Sequence, residues 1–257
     1  MNTLKAQWRY FLTAIMFFTR VHVRLNDFKE VDLNKAARFF PLVGILVGTV
    51  GALVFWLTNL LLPLNLAILL SMVATILLTG AFHEDGLADA TDGLGGGFER
   101  EQVLTIMTDS RIGSYGAISL VLVLLTKYQA LSHQIVALIP VTLIAGHALS
   151  RFCAVYVMFT QRYVKVTGKS KPLATQISVQ ELILAGIFGL APIIFFTPVY
   201  WLALLPVAMV WYWFSTKIKT RIGGYTGDCL GAMQQLTEVV FYIALLASAS
   251  IAESYLR

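Results

Sequence analysis

Long apolar runs without charge constrain this chain more than any other feature. The hydrocarbon core of a bilayer is about 30 Å thick, and a helix that crosses it needs about 20 apolar residues. Residues 39–62 contain no charged side chain and form the clearest candidate span. Of the 257 residues 58% are hydrophobic and only 13% are charged, with a mean hydropathy of +0.75. Soluble domains carry about twice that share of charge, so the chain is predicted to be a polytopic membrane protein.

The apolar runs predict an all-α bundle of about seven transmembrane helices. The run 182–216 is too long for one span, and we divide it near Thr197 and Pro198. The predicted spans are 39–62, 66–82, 116–131, 135–160, the two halves of 182–216, and 237–252. Only two cysteines occur, Cys153 and Cys229, which excludes a disulfide scaffold. We treat residues 1–257 as one integral-membrane catalytic domain.

The segment 1–37, before the first span, has a different pattern. Apolar residues recur there at helical spacing with basic residues around them, which is typical of an amphipathic helix lying in the membrane interface. The apolar positions are Leu4, Trp8, Phe11, Ile15 and Phe18, and the basic ones include Lys5, Arg9 and Arg20. The alternative is a signal peptide, but no small-residue cleavage pattern follows. A retained interfacial helix is therefore the favoured interpretation.

Basic residues predict the orientation, because Lys and Arg are enriched in cytoplasmic loops. They occur before the first span and in the segments 83–115, 161–181 and 217–236, which seven spans place on the same side. The connections 63–65, 132–134 and 197–200 contain neither residue. We therefore expect a cytoplasmic N-terminus and cytoplasmic polar loops. The net charge of +5 then reflects anchoring beside membrane lipid, and no nucleic-acid partner is expected.

Half of the 14 acidic residues lie between positions 84 and 109. On a helix, Asp85, Asp89 and Asp92 fall within an arc of roughly 60°, and Glu84 points about 100° away from Asp85. Like charges on one helical face repel each other, so the stripe predicts a bound divalent cation. Hard oxygen ligands without cysteine favour Mg²⁺, with Mn²⁺ as the other candidate. Asp85, Asp89, Asp92 and Glu84 are the candidate metal ligands; a solvated acidic face is the alternative.

Glycines follow the acidic stripe directly, in the run Gly93-Leu-Gly-Gly-Gly97. Backbone without side chains lets a phosphate approach closely, so Gly95 and Gly96 are candidate substrate contacts. A flexible hinge is an equally good interpretation, and the run matches neither the P-loop nor the dinucleotide fingerprint. Arg100, the first cation after the stripe, is a further substrate-binding candidate.

Asp109 and Arg111 form a second candidate cluster, just before the third span. They could be a surface ion pair worth about 0–1 kcal/mol. Alternatively, Arg111 holds a phosphate oxygen while Asp109 completes the metal shell or accepts a proton. We favour the second interpretation, because the same loop carries the acidic stripe.

Two charged residues fall inside predicted spans. Lys127 lies near one end of its span, where its stem is expected to snorkel to the interface. Arg151 lies well inside residues 135–160, where a charge costs at least about 2.5 kcal/mol, so it should face a polar cavity and have a partner. That partner is either a carboxylate or a bound diphosphate. His147, one turn earlier, is expected to form a helix–helix hydrogen bond.

The third cluster is Gly223-Gly-Tyr-Thr-Gly-Asp-Cys-Leu-Gly-Ala232. Its glycines predict a break in the helix where a loop dips towards the membrane, which requires cover by protein or a wet cavity. Asp228 is then expected to project towards the first acidic cluster. Lys217, Lys219 and Arg221 are interpreted as positive-inside anchors. The segments 83–115 and 217–236 are thus the predicted active-site segments.

Three motifs in this order resemble those of a known family. They are His83-Glu-Asp-Gly-Leu-Ala-Asp-Ala-Thr-Asp-Gly93, Asp109-Ser-Arg-Ile-Gly-Ser-Tyr-Gly116 and the Gly223 to Ala232 run. Together they resemble cobalamin synthase, that is adenosylcobinamide-GDP ribazoletransferase, also called cobalamin-5′-phosphate synthase. The resemblance extends over nearly the whole chain, including Phe18-Thr-Arg20 and Pro41-Leu-Val-Gly44.

The resemblance implies a Mg²⁺-dependent enzyme of the bacterial inner membrane. Such an enzyme joins adenosylcobinamide-GDP to α-ribazole or α-ribazole 5′-phosphate and releases GMP, and other late cobalamin-assembly enzymes are implied as partners. The acidic motif of the family falls on Asp85, Asp89 and Asp92, and relatives can carry Leu at position 84. Its other two motifs fall on Asp109 with Arg111 and on Thr226 with Asp228.

Phosphoryl transfer of this kind requires charge neutralisation and alignment of two substrates. Arg111 and Arg151 would bind non-bridging phosphate oxygens, and either Asp109 or Asp228 would serve as the base for the ribose hydroxyl. The alternatives are a CDP-alcohol phosphotransferase, a cation transporter and a metal-free scaffold. The first would carry Arg where Asp89 stands, the second needs acids in both halves of the bilayer, and the third leaves the stripe unexplained.

Overall fold

The computed structural model describes residues 3–24, 30–164 and 177–255. Within these ranges the protein is an all-α bundle, as predicted, and the one β-bridge joins Tyr163 to Tyr225. The helices are α1 (Thr3–Phe18), α2 (Glu30–Ala36), α3 (Phe40–Asn59), α4 (Leu64–Thr79), α5 (Phe82–Gly96), α6 (Arg100–Thr108), α7 (Ser114–Ser132), α8 (Ile139–Thr160), α9 (Val179–Leu190), α10 (Leu204–Ile222) and α11 (Gly227–Tyr255).

Five helical stretches are long and apolar enough to cross a membrane. They are Asp32–Asn59, Ser114–Ser132, Val136–Thr160, Pro198–Ile222 and Gly227–Ser250. The pair α4 and α5 forms a sixth stretch that is bent by 85°, and the shorter apolar stretch Val179–Phe195 precedes Pro198. These seven stretches follow the order of the seven predicted spans, and the predicted break at Thr197 and Pro198 is confirmed.

The bend between α4 and α5 depends on two successive residues in the left-handed region. Gly80 has φ 66° and Ala81 has φ 56°, a conformation that costs energy for a residue with a Cβ atom. A Cβ atom on Gly80 would lie 2.1 Å from Nε of Arg20, so the guanidinium packs directly against this turn. The predicted span 66–82 therefore ends at Thr79, and α5 carries the acidic motif in a new direction.

Glycines set the closest helix crossings. A Cβ atom on Gly44 would lie 2.3 Å from the carbonyl oxygen of His147, and one on Gly48 would lie 2.5 Å from Cα of Ile144. The backbones of α3 and α8 are thus in contact, as small residues allow in membrane bundles. A second close crossing joins α5 to α11, where a Cβ atom on Gly86 would lie 3.1 Å from Cα of Gly231.

The N-terminal helix is amphipathic, as predicted. Its buried side includes Ala14 and Phe18, whereas Leu4 and Trp8 are exposed. Arg9 binds Asp32 at 3.0 Å and so ties α1 to the start of the first long stretch. Helix α2, which carries part of that link, was not predicted. Residues 1–2 and 25–29 of the predicted interfacial segment lie outside the described residues.

Segments predicted to share one side of the membrane contact one another. Nε of Arg100 donates to the Ile222 carbonyl at 3.1 Å, and the backbone N–H of Tyr225 donates to the Arg162 carbonyl at 3.1 Å. Arg221 donates to the Gly97 carbonyl, so its interpretation as a plain anchor was wrong: it holds the end of α5. Three of the basic residues in the segment 161–181 that support the predicted orientation, Lys165, Lys169 and Lys171, lie outside the described residues.

Candidate functional site

The acidic motif forms the helix α5, as predicted, and α11 crosses it at the motif. Asp85 is exposed and Asp89 is half-buried, one turn further along the same face. A Cβ atom on Gly86 would lie 3.1 Å from the carbonyl oxygen and 3.2 Å from Cα of Asp228. The crossing therefore brings the first and third sequence motifs together, and the prediction that Asp228 lies by the first acidic cluster is confirmed at the level of the backbone.

The break before α11 is built by Gly223 to Thr226. Gly223 adopts a left-handed conformation with φ 82° at the end of α10. The Thr226 hydroxyl accepts a hydrogen bond from the Cys229 N–H at 3.3 Å, which caps the N-terminus of α11. Asp228 lies in the first turn, where the helix dipole stabilises a carboxylate. Thr226 is buried, and its role as a substrate contact stays a prediction.

Tyr163 is a neighbour of Asp228 that the sequence did not indicate. The segment after α8 pairs with the glycine-rich break, and the rings of Tyr163 and Tyr225 meet edge to face at 5.7 Å. Burial, and then the negative charge of Asp228, raise the pKa of Tyr163. The phenol therefore stays protonated over a wide pH range. Its pairing with Tyr225 depends on chain positions more than 60 residues apart, which no local motif reveals.

Asp92 links α5 to the start of α7. Its Oδ2 accepts from the Gly113 N–H at 2.7 Å and its Oδ1 accepts from the Gly116 N–H at 2.8 Å. A Cβ atom on either glycine would lie 2.4 Å from an Asp92 oxygen, so glycine is required at both positions. The carboxylate thus satisfies the free amide groups at the start of a helix. Its role as a metal ligand stays a prediction.

Asp109 and Arg111 form a bidentate ion pair at the surface. Nη2 of Arg111 donates to Oδ2 of Asp109 at 2.7 Å, and its Nε donates to Oδ1 at 3.1 Å. The Arg111 side chain is 87% exposed, and Asp109 raises the pKa of its guanidinium. The ion pair exists, and the exposed guanidinium can exchange this carboxylate for a phosphate.

An open groove of ≈ 530 Å³ lies beside this pair. Asp92, Gly96, Arg111 and Tyr115 are among the residues that line it. The Tyr115 ring lies against Gly95, where a Cβ atom would come within 2.8 Å of the ring. Gly95 thus makes room for an aromatic side chain that the sequence analysis did not select, although Tyr115 lies within its second motif.

The glycine run is helical rather than a loop. Residues 93–96 form the last turn of α5, and the Gly97 N–H donates to the Gly93 carbonyl at 3.0 Å. Amide groups inside an α-helix already have carbonyl partners, so an amide cradle for phosphate, like the flexible hinge, was the wrong expectation for this segment. Gly95 and Gly96 are exposed beside the groove, and contact with a substrate stays a prediction. Arg100 already has two partners within the protein: its Nε donates to the Ile222 carbonyl, and its Nη1 donates to the Glu101 carboxylate.

Glu84 points away from Asp85, into a polar network among the helices. Its Oε1 accepts from Nε2 of Gln235 on α11 at 2.9 Å. Gln235 in turn accepts from Lys127 on α7 at 2.7 Å, and Lys127 pairs with Glu238 at 2.9 Å. Lys127 is buried, so the prediction that it snorkels to the interface was wrong: a carboxylate on another helix compensates its charge.

Arg151 lies in the same network and is 2% exposed. Its Nη1 donates to the His147 carbonyl at 3.0 Å, and Nδ1 of His147 lies 3.3 Å from Oε2 of Glu238. The predicted helix–helix contact of His147 is confirmed. Arg151 also borders a small cavity, but apolar side chains such as Phe18 and Met158 line most of it, so the expectation of a polar cavity was wrong. Within the described residues the hydrogen-bond partners of Arg151 are the carbonyl oxygen and Nδ1 of His147, and diphosphate binding by Arg151 stays a prediction.

The carboxylates of α5 are the candidate ligands for a magnesium ion. No group of three or more His, Cys, Asp and Glu side chains in the described ranges is placed to hold a metal ion by itself. Mg²⁺ usually keeps several waters and binds one or two carboxylates together with substrate phosphates. Asp85 and Asp89, one turn apart on an accessible face, fit an ion of this kind. Asp92 and Glu84 remain predicted ligands, although each carboxylate is hydrogen-bonded within the protein.

The sequence was compared with known proteins. The family described as Cobalamin-5-phosphate synthase matches residues 10–246. The chain is 45% identical over 256 residues to the adenosylcobinamide-GDP ribazoletransferase of Ralstonia pickettii (strain 12J), covering 96% of this chain and 98% of the relative. It is 46% identical over 257 residues to the protein of the same name from Shewanella frigidimarina (strain NCIMB 400), covering 94% and 95%. No solved structure matches the chain significantly.

Proposed function

The chain belongs to the cobalamin-5-phosphate synthase family, and we propose that this enzyme transfers the adenosylcobinamide phosphate of adenosylcobinamide-GDP to α-ribazole or α-ribazole 5′-phosphate. The products would be adenosylcobalamin or its 5′-phosphate, together with GMP. One observation carries the proposal at the site. The crossing at Gly86 and Gly231 joins the acidic face of α5 to the first turn of α11, so carboxylates from two distant motifs face one reaction centre.

In the proposed reaction the ribose 3′-hydroxyl of the ribazole attacks the phosphorus that bears cobinamide. A new P–O bond forms to the ribose, the bridging P–O bond breaks, and GMP leaves with that oxygen. The catalytic requirement is alignment and charge neutralisation rather than a covalent enzyme intermediate. Arg111 would move from Asp109 to a non-bridging phosphate oxygen, which it can hold through two parallel hydrogen bonds.

The proton of the attacking hydroxyl needs an acceptor. Asp109 is held by two atoms of Arg111, so its carboxylate oxygens are already occupied by a partner. Asp228 lies at the helix crossing beside Asp85 and Asp89. We therefore propose that Asp228 accepts this proton and later releases it to solvent. Asp109 would hold Arg111 in position until the substrate binds.

The groove beside Asp109 and Arg111 is the proposed place for a nucleoside part of the substrates. Asp89 and Gly96 are seven residues apart on α5, a rise of about 10.5 Å, so a nucleotide with its phosphates at Asp89 can extend its base towards Tyr115. Tyr115 offers an aromatic face for stacking. Gly95 and Gly96 would then contact the substrate through van der Waals packing.

A magnesium ion is the proposed cofactor, with Mn²⁺ as a substitute. Asp85 and Asp89 would hold it, with Asp92 as a further ligand on the same face. When bound, such an ion neutralises charge on a diphosphate and stabilises the leaving phosphate. The carboxylates of α5 supply hard oxygen donors and, by crowding on one face, favour a cation between them.

The proposed location is the bacterial inner membrane, with the N-terminus and the active site in the cytoplasm. The distribution of basic residues supports this orientation. It is further supported by contacts among the segments assigned to that side, such as Arg100 with Ile222 and Arg221 with Gly97. Substrates would then enter from the cytosol.

The test is a reconstitution. The purified protein in nanodiscs is incubated with radiolabelled adenosylcobinamide-GDP and α-ribazole, and then with α-ribazole 5′-phosphate. We expect a labelled cobalamin product and one GMP per product. A CDP-alcohol with a simple alcohol acceptor serves as the control pair and should give no transfer. Turnover of the control pair without cobalamin formation would refute the proposal.

Metal dependence is tested on the same preparation. EDTA should abolish product formation because the carboxylates of α5 alone cannot neutralise the diphosphate, and added Mg²⁺ or Mn²⁺ should restore it. Ca²⁺ serves as the control, since its larger size and looser coordination do not suit a site built for Mg²⁺. Activity that persists in excess EDTA would remove the metal from the mechanism.

A further inference from the structure

The polar network among the helices is not used by the proposed reaction, although it is joined to the reactive helix. Its ion pair of Lys127 and Glu238 is almost fully buried. Tyr242 donates to Oε1 of Glu238 at 3.1 Å, and Gln234 donates to its Oε2. Four helices, α5, α7, α8 and α11, thus contribute to one set of hydrogen bonds.

Gln235 connects this network to α5. Its Oε1 accepts from Lys127 at 2.7 Å, and its Nε2 donates to Glu84 at 2.9 Å. The other Glu84 oxygen, Oε2, is buried and has no hydrogen-bond partner in the described part of the chain. The hydrogen bond from Gln235 is therefore the direct tie between the buried ion pair and the helix that carries Asp85 and Asp89.

We infer that Gln235 and Glu84 act as positioning residues that set the rotation of α5 and hence the direction in which its aspartates point. This inference rests on the proposed function. It assigns Glu84 to positioning, in place of the metal-binding role that its sequence neighbours suggested.

The geometry shows why such a contact is needed. The glycine crossing at Gly86 and Gly231 fixes the distance between α5 and α11, and Asp92 holds the C-terminal half of α5 to α7. In the first turn of α5, next to Asp85, it is the hydrogen bond at Glu84 that fixes the rotation. Side chains lie about 5–6 Å from a helix axis, so a rotation of about 20° displaces a carboxylate by about 2 Å. A displacement of about 1 Å can lower a rate by about 10²-fold. One hydrogen bond at Glu84 is thus sufficient to control catalysis from the buried side.

The first test is Gln235→Leu, which removes the hydrogen bonds of this side chain with Lys127, Glu84 and Gln234 but keeps the volume close to that of glutamine. We expect kcat to fall by about 10- to 100-fold and KM for both substrates to change by less than about twofold, because the binding groove is not altered. The matched control is Gln134→Leu. Gln134 is also buried and also binds α11, through the Tyr242 carbonyl at 3.1 Å, but it does not contact α5. Its loss should lower thermal stability to a similar extent and leave kcat unchanged.

The decisive variant is the reciprocal exchange Glu84→Gln with Gln235→Glu. It keeps the net charge and the hydrogen bond between the two positions, and the carboxylate introduced on α11 can still accept from Lys127. Positioning predicts that kcat returns to within about fivefold of the wild-type value, whereas Gln235→Glu alone, which sets two carboxylates against each other, lowers it by at least about tenfold. Glu84→Gln alone keeps an acceptor oxygen for Gln235 and should stay close to the wild-type kcat. A metal ligand at position 84 predicts the opposite, because the exchange moves the carboxylate to α11.

A second readout does not use turnover. The melting temperature of the protein in nanodiscs should fall in Gln235→Glu and recover in the exchange, since two contacting residues give non-additive effects. Equal kcat in Gln235→Leu and Gln134→Leu, or an inactive exchange with a restored melting temperature, would overturn the inference. Absence of product from the wild-type protein would instead refute the proposed function, and the melting temperatures would then still report whether the two residues are coupled.

Discussion

Glu84 and Asp85 are neighbours on one helix, yet they belong to regions with opposite properties. Asp85 and Asp89 face the crossing with α11 at an accessible surface, among further carboxylates. Glu84 faces the interior, where amide and ammonium groups surround it. The acidic face is a set of like charges that an external cation can join, whereas the buried network carries charges of both signs that pair with each other. The comparison shows that an acidic residue in a membrane enzyme is interpretable only with its partners.

The buried network and the accessible surface also differ in how their charges are compensated. Lys127 and Glu238 lie on different long helices and compensate each other where water is scarce, so the removal of either one leaves a buried charge. The charges of Arg111 and Asp109 are exposed at the surface, where such a pair contributes little to stability. Substitutions in the buried network should therefore affect folding first, and substitutions at the surface should affect chemistry first.

The largest effect is expected on the acidic face. Asp89→Asn should lower kcat by about 10³-fold, because it removes a charge that stabilises the transition state, and it should leave the melting temperature unchanged. The measurement is GMP release by purified protein in nanodiscs. Glu99→Gln, an exposed acidic residue outside the stripe, is the control and should keep full activity. Normal turnover by a folded Asp89→Asn protein would contradict the assignment.

The next effect is on the buried ion pair. Lys127→Met should lower the free energy of unfolding by about 3 kcal/mol, because the buried Glu238 carboxylate loses its close ammonium partner and, within the described residues, keeps the longer contact with His147 at 3.3 Å as its ion pair. Thermal unfolding in detergent measures this loss, and Lys127→Met with Glu238→Gln should recover part of it. Lys35→Met is the matched control: Lys35 is half-exposed beside Glu181, which also binds Arg38. A similar loss in both single variants would show that burial does not distinguish the two pairs.

A smaller effect is expected at Asp92, which links α5 to the start of α7. Asp92→Asn keeps one acceptor oxygen for the N–H groups of Gly113 and Gly116, so the expected loss of stability is about 2 kcal/mol. Ser119→Ala serves as the comparison, since Ser119 also joins α7 to α5, through Thr91 at 2.8 Å, but without charge. Thermal unfolding and activity are measured together. Loss of activity with an unchanged melting temperature would show that the proposed metal binding by Asp92 outweighs its contribution to stability.

The smallest effect on stability is expected at Arg111. Arg111→Ala should shift the free energy of unfolding by less than about 1 kcal/mol, while KM for adenosylcobinamide-GDP rises by about tenfold through loss of a phosphate contact. Arg162→Ala, at an exposed arginine near Tyr225, controls for the loss of surface charge. An unchanged KM would show that Arg111 does not hold a phosphate of this substrate.

Much of the architecture was predictable because membrane spans depend on composition and length alone. The amphipathic α1, the break at Thr197 and the helix with Asp85 and Asp89 follow from local periodicity, glycine and proline. The bend at Gly80 and Ala81 was not predictable in detail, because its left-handed Ala81 is stabilised by packing and not by its own preference.

The candidate site was predictable in its residue types and not in its contacts. The proximity of Asp228 to the acidic stripe was expected, since both motifs are predicted to lie on one side of the membrane. The roles of Arg221 and Lys127 were not expected: each binds a group that lies far away in the sequence. The partner of a long side chain depends on helix packing, which periodicity does not encode.

The order of apolar and charged residues therefore determined the membrane class, the helical architecture, the helical face of each aspartate and the family. The tertiary structure decided which of those aspartates remain accessible, which glycines let α5 and α11 touch, and how Glu84 is held. The physical reason is that local propensity and hydropathy act over a few turns of one helix. Burial, close backbone approach and charge compensation arise only when distant helices meet.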